Sequence, residues 1–173
     1  MGAGEVLQID TAAGRLDVAR ANGATQTFVG SAADAVPFVE EHTRGELADV
    51  VFDATGHWAV FPLALKLVRR YGVLMLIGDS PHPSKQVLTA DVLTRQISVR
   101  GSHNEMLPPH VEGWDAARQV ELFHRYVERG QMRVEDLITS RFAPEEAPEV
   151  YAQLLENRAE TMGVVFDWSR LDG

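Results

Sequence analysis

The sequence predicts an α/β protein built on a doubly wound, mostly parallel sheet, with a further α/β tail. Three observations carry this. Short β-branched runs alternate with longer stretches of helical period, and Gly, Pro or a small polar residue marks each switch. "VLMLIGD" (73–79) is apolar at almost every position, as a parallel strand covered by helices on both faces would be. The 173 residues are 45% hydrophobic and 24% charged, enough to build a core and too apolar for a disordered chain.

The elements follow in order. "GEVLQID" (4–10) is a strand ending on the carboxylate of Asp10, and "AAGRLDVARANG" (12–23) is a helix with Gly23 as its stop. "TQTF" (25–28) is a short strand. "SAADAVPFVEEHTRG" (31–45) is a helix capped by Ser31 or Asp34, provided Pro37 falls in its first turn. "DVVFDATG" (49–56) is the clearest strand. "WAVFPLALKLVRRYG" (58–72) reads as an apolar helix with basic residues in its last turn and Gly72 as its C-terminal stop, ahead of the strand at 73–79. A short helix "LTADVLTRQ" (88–96) and a strand "ISVRGS" (97–102) come next, and the proline pair of "EMLPPHVEG" (105–113) then breaks the rhythm. A helix at 114–130, a strand at 135–142, a helix at 144–158 and a last strand at 162–168 complete the chain.

Composition excludes several function classes. The net charge of −9 repels phosphate backbones and anionic lipid, so nucleic acid and membrane surfaces are not expected partners. With no cysteine there is no disulfide, no thiolate nucleophile and no cysteine-based zinc site. No stretch reads as a signal peptide or a spanning helix, and the expected location is cytoplasmic.

In open parallel sheets, ligands bind outside the carboxyl ends of the strands, which makes those ends the place to look. They are Asp10, "DATG" (53–56), "IGDSP" (77–81) and "RGSHN" (100–104), and small residues or glycines cluster at three of the four. An acidic residue at Asp10 can accept hydrogen bonds from a ribose diol and repels a 2′-phosphate; it can equally be a solvated loop residue beside a helix start. Arg15, one turn into the following helix, either lies near the same ribose or is a solvated helix residue. The histidines form no metal-binding spacing: His103 and His110 are split by two prolines, and His57 can simply flank a helix start. Glu145 and Glu146 read as first-turn helix charges, and no G-x-S-x-G elbow occurs. The glycine-rich phosphate fingerprint is also missing. Gly2 and Gly4 are followed by Leu7 at its third place, and they precede a strand where the fingerprint would follow one.

Together these segments resemble the nucleotide-binding half and C-terminal tail of the zinc-type medium-chain alcohol dehydrogenases. "EVLQIDTAAGRLDVARANGAT" is similar to that family's second strand and following helix, "DVVFDATG" to its fourth strand, "YGVLMLIGD" to its fifth and "ISVRGSHN" to its sixth. "GQMRVEDLITSRFAPEEAPEVYAQLLENRAETMGVVFDW" is similar to the segment that returns to the catalytic domain. The resemblance implies a Rossmann-type sheet lacking its first strand, with 1–103 as an incomplete NAD-binding domain and 104–173 as the returning segment. It implies NAD, preferred over NADP, and hydride transfer from an alcohol or polyol. Asp10 and Arg15 would meet the adenosine ribose, and Thr55, Gly56, Ile77, Gly78, Gly101 and Ser102 would line the cofactor groove. No catalytic residue and no zinc ligand are expected in this chain, because the family's zinc ligands lie in a domain not represented here. Gly163 departs from relatives that place a basic residue near the pyrophosphate.

In the Rossmann order the first strand is central, so its absence should separate "VLQI" from "VVFD" and leave backbone groups unpaired. The expected consequences are a chain that is marginally stable alone, a homo-oligomer joined through strand edges, or a piece completed by another chain. Two other readings remain: a non-catalytic nucleotide-binding or interaction module, and an S-adenosylmethionine-dependent methyltransferase, which shares an acidic second-strand end.

Overall fold

In the computed structural model, residues 2–103, 113–157 and 161–171 are described. The proline pair at 108–109, His110 and Asn104 lie outside them. The chain divides into two units, Gly30–Val120 and Met1–Val29 with Glu121–Gly173. Among the described residues all strand pairings are parallel, four ladders in three sheets: β1 (Leu7–Asp10) with β2 (Gln26–Val29), β3 (Ala48–Asp53) with β4 (Val68–Leu76) and β4 in turn with β5 (Ser98–Gly101), and β6 (Ile138–Phe142) with β7 (Gly163–Phe166). "VLQI" and "VVFD" thus fall in separate sheets, as the sequence reading expects.

The unit at 30–120 is organised by one apolar cluster. Leu65, Val68 and Leu74 are fully buried, joined by Phe61, Ala64 and Ile97, with Val51, Leu76 and Val92 packed against them. α3 (Phe61–Leu67) supplies the largest share because four of its seven residues face inward, and Pro62 sits in its first turn, where no amide hydrogen is needed. α2 (Val36–His42) uses the same device: Pro37 lies in its first turn, as the sequence requires. Neither Ser31 nor Asp34 caps it. The N-cap is Ala35, while the Ser31 hydroxyl accepts from the Ala33 amide in the turn before.

The covering of the sheet is one-sided along β3. Val51 packs into the core and Asp53 is buried, whereas the alternate residues Val50 and Phe52 are 44% and 62% exposed. α4 (Asp91–Thr94) is shorter than the sequence suggests, and it is tied to α3 by Arg95. That guanidinium donates to the carbonyls of Leu65, Lys66 and Val68 at 3.0, 3.2 and 2.6 Å, satisfying acceptors that a helix end leaves over.

The largest departure from the sequence reading lies at 68–72. The helix stops at Leu67 and Val68 already belongs to β4, so Arg69 and Arg70 are strand residues. Ala48 pairs with Val68 but Val50 with Val73, which leaves extra residues of β4 in a bulge where Tyr71 takes φ 61°. Gly72 is therefore no helix stop. A Cβ there would lie 2.7 Å from Val68 Cγ1 and 2.9 Å from the Asp49 carbonyl, so glycine is needed for the close passage of β4 beside β3.

In the other unit α1 (Ala13–Ala21) follows β1 and buries Leu16. Gly23, at φ 108°, ends it as expected, with the Ala24 amide donating back to the Ala19 carbonyl at 2.9 Å. The two stretches of this unit are tied by Arg133, which donates to the Ala21 carbonyl, and by Arg15, which donates to the Thr161 carbonyl at 3.1 Å. α6 (Ala147–Glu156) buries Val150 and runs between β6 and β7, while α5 (Ala116–Glu128) begins in one unit and ends in the other. No helix among the described residues is long and apolar enough to cross a membrane.

Candidate cofactor site

Six of the residues singled out from sequence lie together at the carboxyl ends of β3, β4 and β5. Asp53, Leu76 and Gly101 stand in register across the three strands, so the loops that follow leave from one edge of the sheet. Thr55 and Gly56 follow β3, Ile77 and Gly78 follow β4, and Gly101 and Ser102 end β5. The amides of Ile77 and Gly78 both donate to the Asp53 carbonyl at 3.0 Å, and the Ser102 amide donates to the Leu76 carbonyl at 3.0 Å. The first two loops therefore touch through their backbones. A Cβ on Gly56 would lie 2.1 Å from the Asp79 carbonyl oxygen, and one on Gly78 would lie 2.3 Å from the Gly56 nitrogen. By contrast, a Cβ on Gly101 would meet nothing within 4 Å among the described residues. The ends of β3 and β4 are locked together, whereas no described atom crowds Gly101 at the end of β5.

Asp53, which sequence reasoning left as a strand residue, holds the first loop. It is 3% exposed, and its Oδ1 accepts from the Thr55 amide at 2.9 Å and from the Thr55 hydroxyl at 2.7 Å. The Thr55 hydroxyl oxygen in turn accepts from the His57 amide at 3.1 Å, and His57 Nδ1 accepts from the Ala59 amide at 3.3 Å. Three successive turns of the same span thus fix residues 53–59. The second carboxylate oxygen, Oδ2, is buried with no hydrogen-bond partner among the described residues. The sequence signal was present in "DATG", since an Asp two residues before a Thr at a strand end is a ready turn former, but burial is a tertiary fact.

Asp10 and Arg15 belong to the other unit. Asp10 ends β1, is half-buried, and accepts from the Ala12 amide through Oδ1 at 2.8 Å, which fixes the start of α1 and leaves Oδ2 as an acceptor. Arg15 is half-buried as well, with its Nη2 on the Thr161 carbonyl. Gly163, where a basic residue was missed, opens β7 beside Ile138, and a Cβ there would lie 2.4 Å from the Leu137 carbonyl oxygen. Any side chain at 163 collides with backbone.

Among the described residues no group of three or more His, Asp or Glu side chains could hold a metal ion, so the donors present do not fit zinc.

Against known proteins, the sequence pattern of the zinc-binding dehydrogenases matches residues 1–116, and the chain belongs to that family. It carries a zinc-type alcohol or polyol dehydrogenase-like domain. It is 30% identical over 145 residues to L-threonine 3-dehydrogenase from Bacillus licheniformis, covering 84% of this chain and 39% of that protein. An alcohol dehydrogenase from Thermus sp. ATN1 superposes on 95% of this chain with a TM-score of 0.75 and 25% identity, using 44% of its own length. A short chain alcohol dehydrogenase from Escherichia coli CFT073, solved with NADH, covers 96% of this chain and 45% of its own, with a TM-score of 0.73 at 18% identity. The chain spans about two fifths of the length of the curated relative. Membership decides against the methyltransferase reading.

Proposed function

We propose that this chain is the NAD-binding portion of an alcohol or polyol dehydrogenase, and that the dinucleotide lies along the carboxyl ends of β3, β4 and β5. The observation that carries this is the glycine pair: where Gly56 and Gly78 meet, backbone replaces side chains, and no described atom stands within 4 Å of where a Gly101 side chain would begin, room for a flat ligand. NAD supplies the hydride acceptor when bound. The chain's part is to bind and orient it. Thr55, Gly56, Ile77, Gly78, Gly101 and Ser102 line the groove, and the free oxygen of Asp10 accepts from the adenosine ribose hydroxyls with Arg15 alongside. A carboxylate there favours NAD over NADP, because a 2′-phosphate would bring two negative charges together. Gly163 offers no cation to the pyrophosphate.

In this reading residues 1–103 supply the cofactor half and 104–173 return to a catalytic domain, whose residues would be needed for hydride transfer in the cytoplasm. The outer edges of β1 and β3, which pair with no strand among the described residues, are the places for a second copy or a complementing chain to add one. Calorimetric titration with NADH and NADPH, alongside sedimentation velocity, tests the proposal. Saturable binding that favours NADH and is lost in Asp10→Ala is expected, and a folded chain that binds neither nucleotide overturns it.

A further inference from the structure

The loop after β3 and the 3-10 turn Pro83–Lys85 after β4 bring three side chains together beside the glycine crossing. Trp58 carries the imidazole of His57 stacked on it, with ring centroids 5.5 Å apart at 26°, and the Lys85 ammonium lies over the same indole at 5.7 Å. All three are exposed. Lys85 makes no ion pair or side-chain hydrogen bond among the described residues. Lys66, the other lysine of the chain, makes no ion pair among them either, so what sets Lys85 apart is the aromatic face beneath it. The indole is what holds it, since a cation over an aromatic face is attracted by the ring quadrupole and keeps its N–H donors for another acceptor. His57 is oriented in the same way. Its Nδ1 already accepts from the Ala59 amide, so the neutral ring carries its hydrogen on Nε2, the nitrogen not used by the loop.

We infer that Lys85, seated on Trp58 beside His57, is the anchor for an anionic group on the substrate, a carboxylate or a phosphate monoester, so that the alcohol this site takes is an anionic one. The inference rests on the dehydrogenase reading for what the ligand is, and on the local geometry for where its charge goes. Three features fit such a role. The donors come from two loops that the Gly56 and Gly78 backbones lock together, so the site is held before a ligand arrives. They stand at the same strand ends as the groove assigned to the cofactor. And an ammonium with an imidazole N–H matches the oxygens of either anion.

The test uses the whole chain, with inorganic phosphate and acetate as probes at constant ionic strength set by chloride, read by tryptophan fluorescence. A saturable change is expected with one or both probes. It should vanish in Trp58→Phe, which removes the reporter among the three tryptophans, and weaken about tenfold in Lys85→Gln. The exposed Lys66, on α3, serves as the control: Lys66→Gln should leave the response unchanged. Phosphate acting alone assigns a phosphate monoester, and acetate acting alone assigns a carboxylate. No response beyond chloride, or equal affinity in Lys85→Gln, overturns the inference. NADH titrated into the same sample separates the two proposals: NADH binding without an anion response sinks this site alone, and an anion response without NADH binding sinks the dehydrogenase reading and with it the substrate assignment.

Discussion

Gly78 passes Gly56 so closely that a methyl group on the one would overlap the backbone of the other, at 2.3 Å from its nitrogen. Two loops that leave neighbouring strands are thereby fused into one wall, and the two glycines do different work from Gly101, which no described atom crowds.

This contrast predicts opposite behaviour for two alanine substitutions. Gly78→Ala should destabilise the unit at 30–120 by about 1–3 kcal/mol, because the atom it meets is backbone and cannot rotate away. Gly101→Ala should stay within about 0.5 kcal/mol of the parent and weaken NADH instead. Urea unfolding and NADH titration of the pair separate the roles, and equal stability loss in both would contradict the assignment.

At Asp53 the expectation concerns a loop. Removing the carboxylate in Asp53→Ala takes away the acceptor for both the Thr55 amide and the Thr55 hydroxyl, and should cost about 1–3 kcal/mol. Thr55→Val removes the hydroxyl bond and keeps the amide bond, so it should cost less. Unfolding free energies in the reverse order would show that the turn is not what holds residues 53–59.

A pH dependence follows from the clamp between α4 and α3. The Thr89 hydroxyl, donating to Asp91 at 2.7 Å, is the main reason that the Asp91 carboxyl titrates below its usual range; burial opposes this, and the Arg95 guanidinium adds to the lowering. A carboxyl whose pKa is depressed by folding stabilises the protein above its unfolded value of about 3.9, and that contribution is lost as pH falls through the lower, folded value. The stability difference between the parent and Asp91→Asn should therefore be full near neutral pH and shrink in acid. A difference that is constant from about pH 7 to about pH 3 would rule out the linkage.

Restoring a basic side chain at 163 should fail. Gly163→Lys places a Cβ against the Leu137 carbonyl at the start of β7, so the β6–β7 ladder should open before any pyrophosphate contact is gained. Hydrogen exchange at Val164–Phe166 reports it: faster exchange than the parent is expected, and parent-like protection with tighter NADH would reverse the reading.

Much of the fold was legible because local and tertiary signals agree. Gly23 sits where a helix must turn left-handed, Pro37 where a missing amide hydrogen costs nothing, and "DVVFD" forms the strand its residues favour. The segment at 68–72 was not legible for the opposite reason. Lys66, Arg69 and Arg70 imitate the basic last turn of a helix, while the pairing of Val68 with Ala48 that decides the matter comes from a strand about twenty residues earlier. That small residues and glycines gather at the strand ends could be read from the sequence, while the choice of Thr55, Gly56, Ile77, Gly78, Gly101 and Ser102 for the proposed groove came from the family resemblance. The work of Asp53 and Arg95 could not, since nothing in a sequence says which carboxylate will be buried or which guanidinium will find three carbonyls.

The division of the chain also sets an order of assembly. Residues 30–120 are contiguous, and their core can close as soon as they have left the ribosome. The first 29 residues cannot finish folding so early, because their unit is completed by Glu121–Gly173, through bonds such as Arg15 to Thr161 that span 146 residues. Until residues 121–171 are in place, the Thr161 carbonyl and the Arg133 guanidinium that bind this stretch are missing, and a unit held half-made is exposed to wrong partners. Nascent chains halted before residue 121 should therefore be the ones that chaperones hold longest.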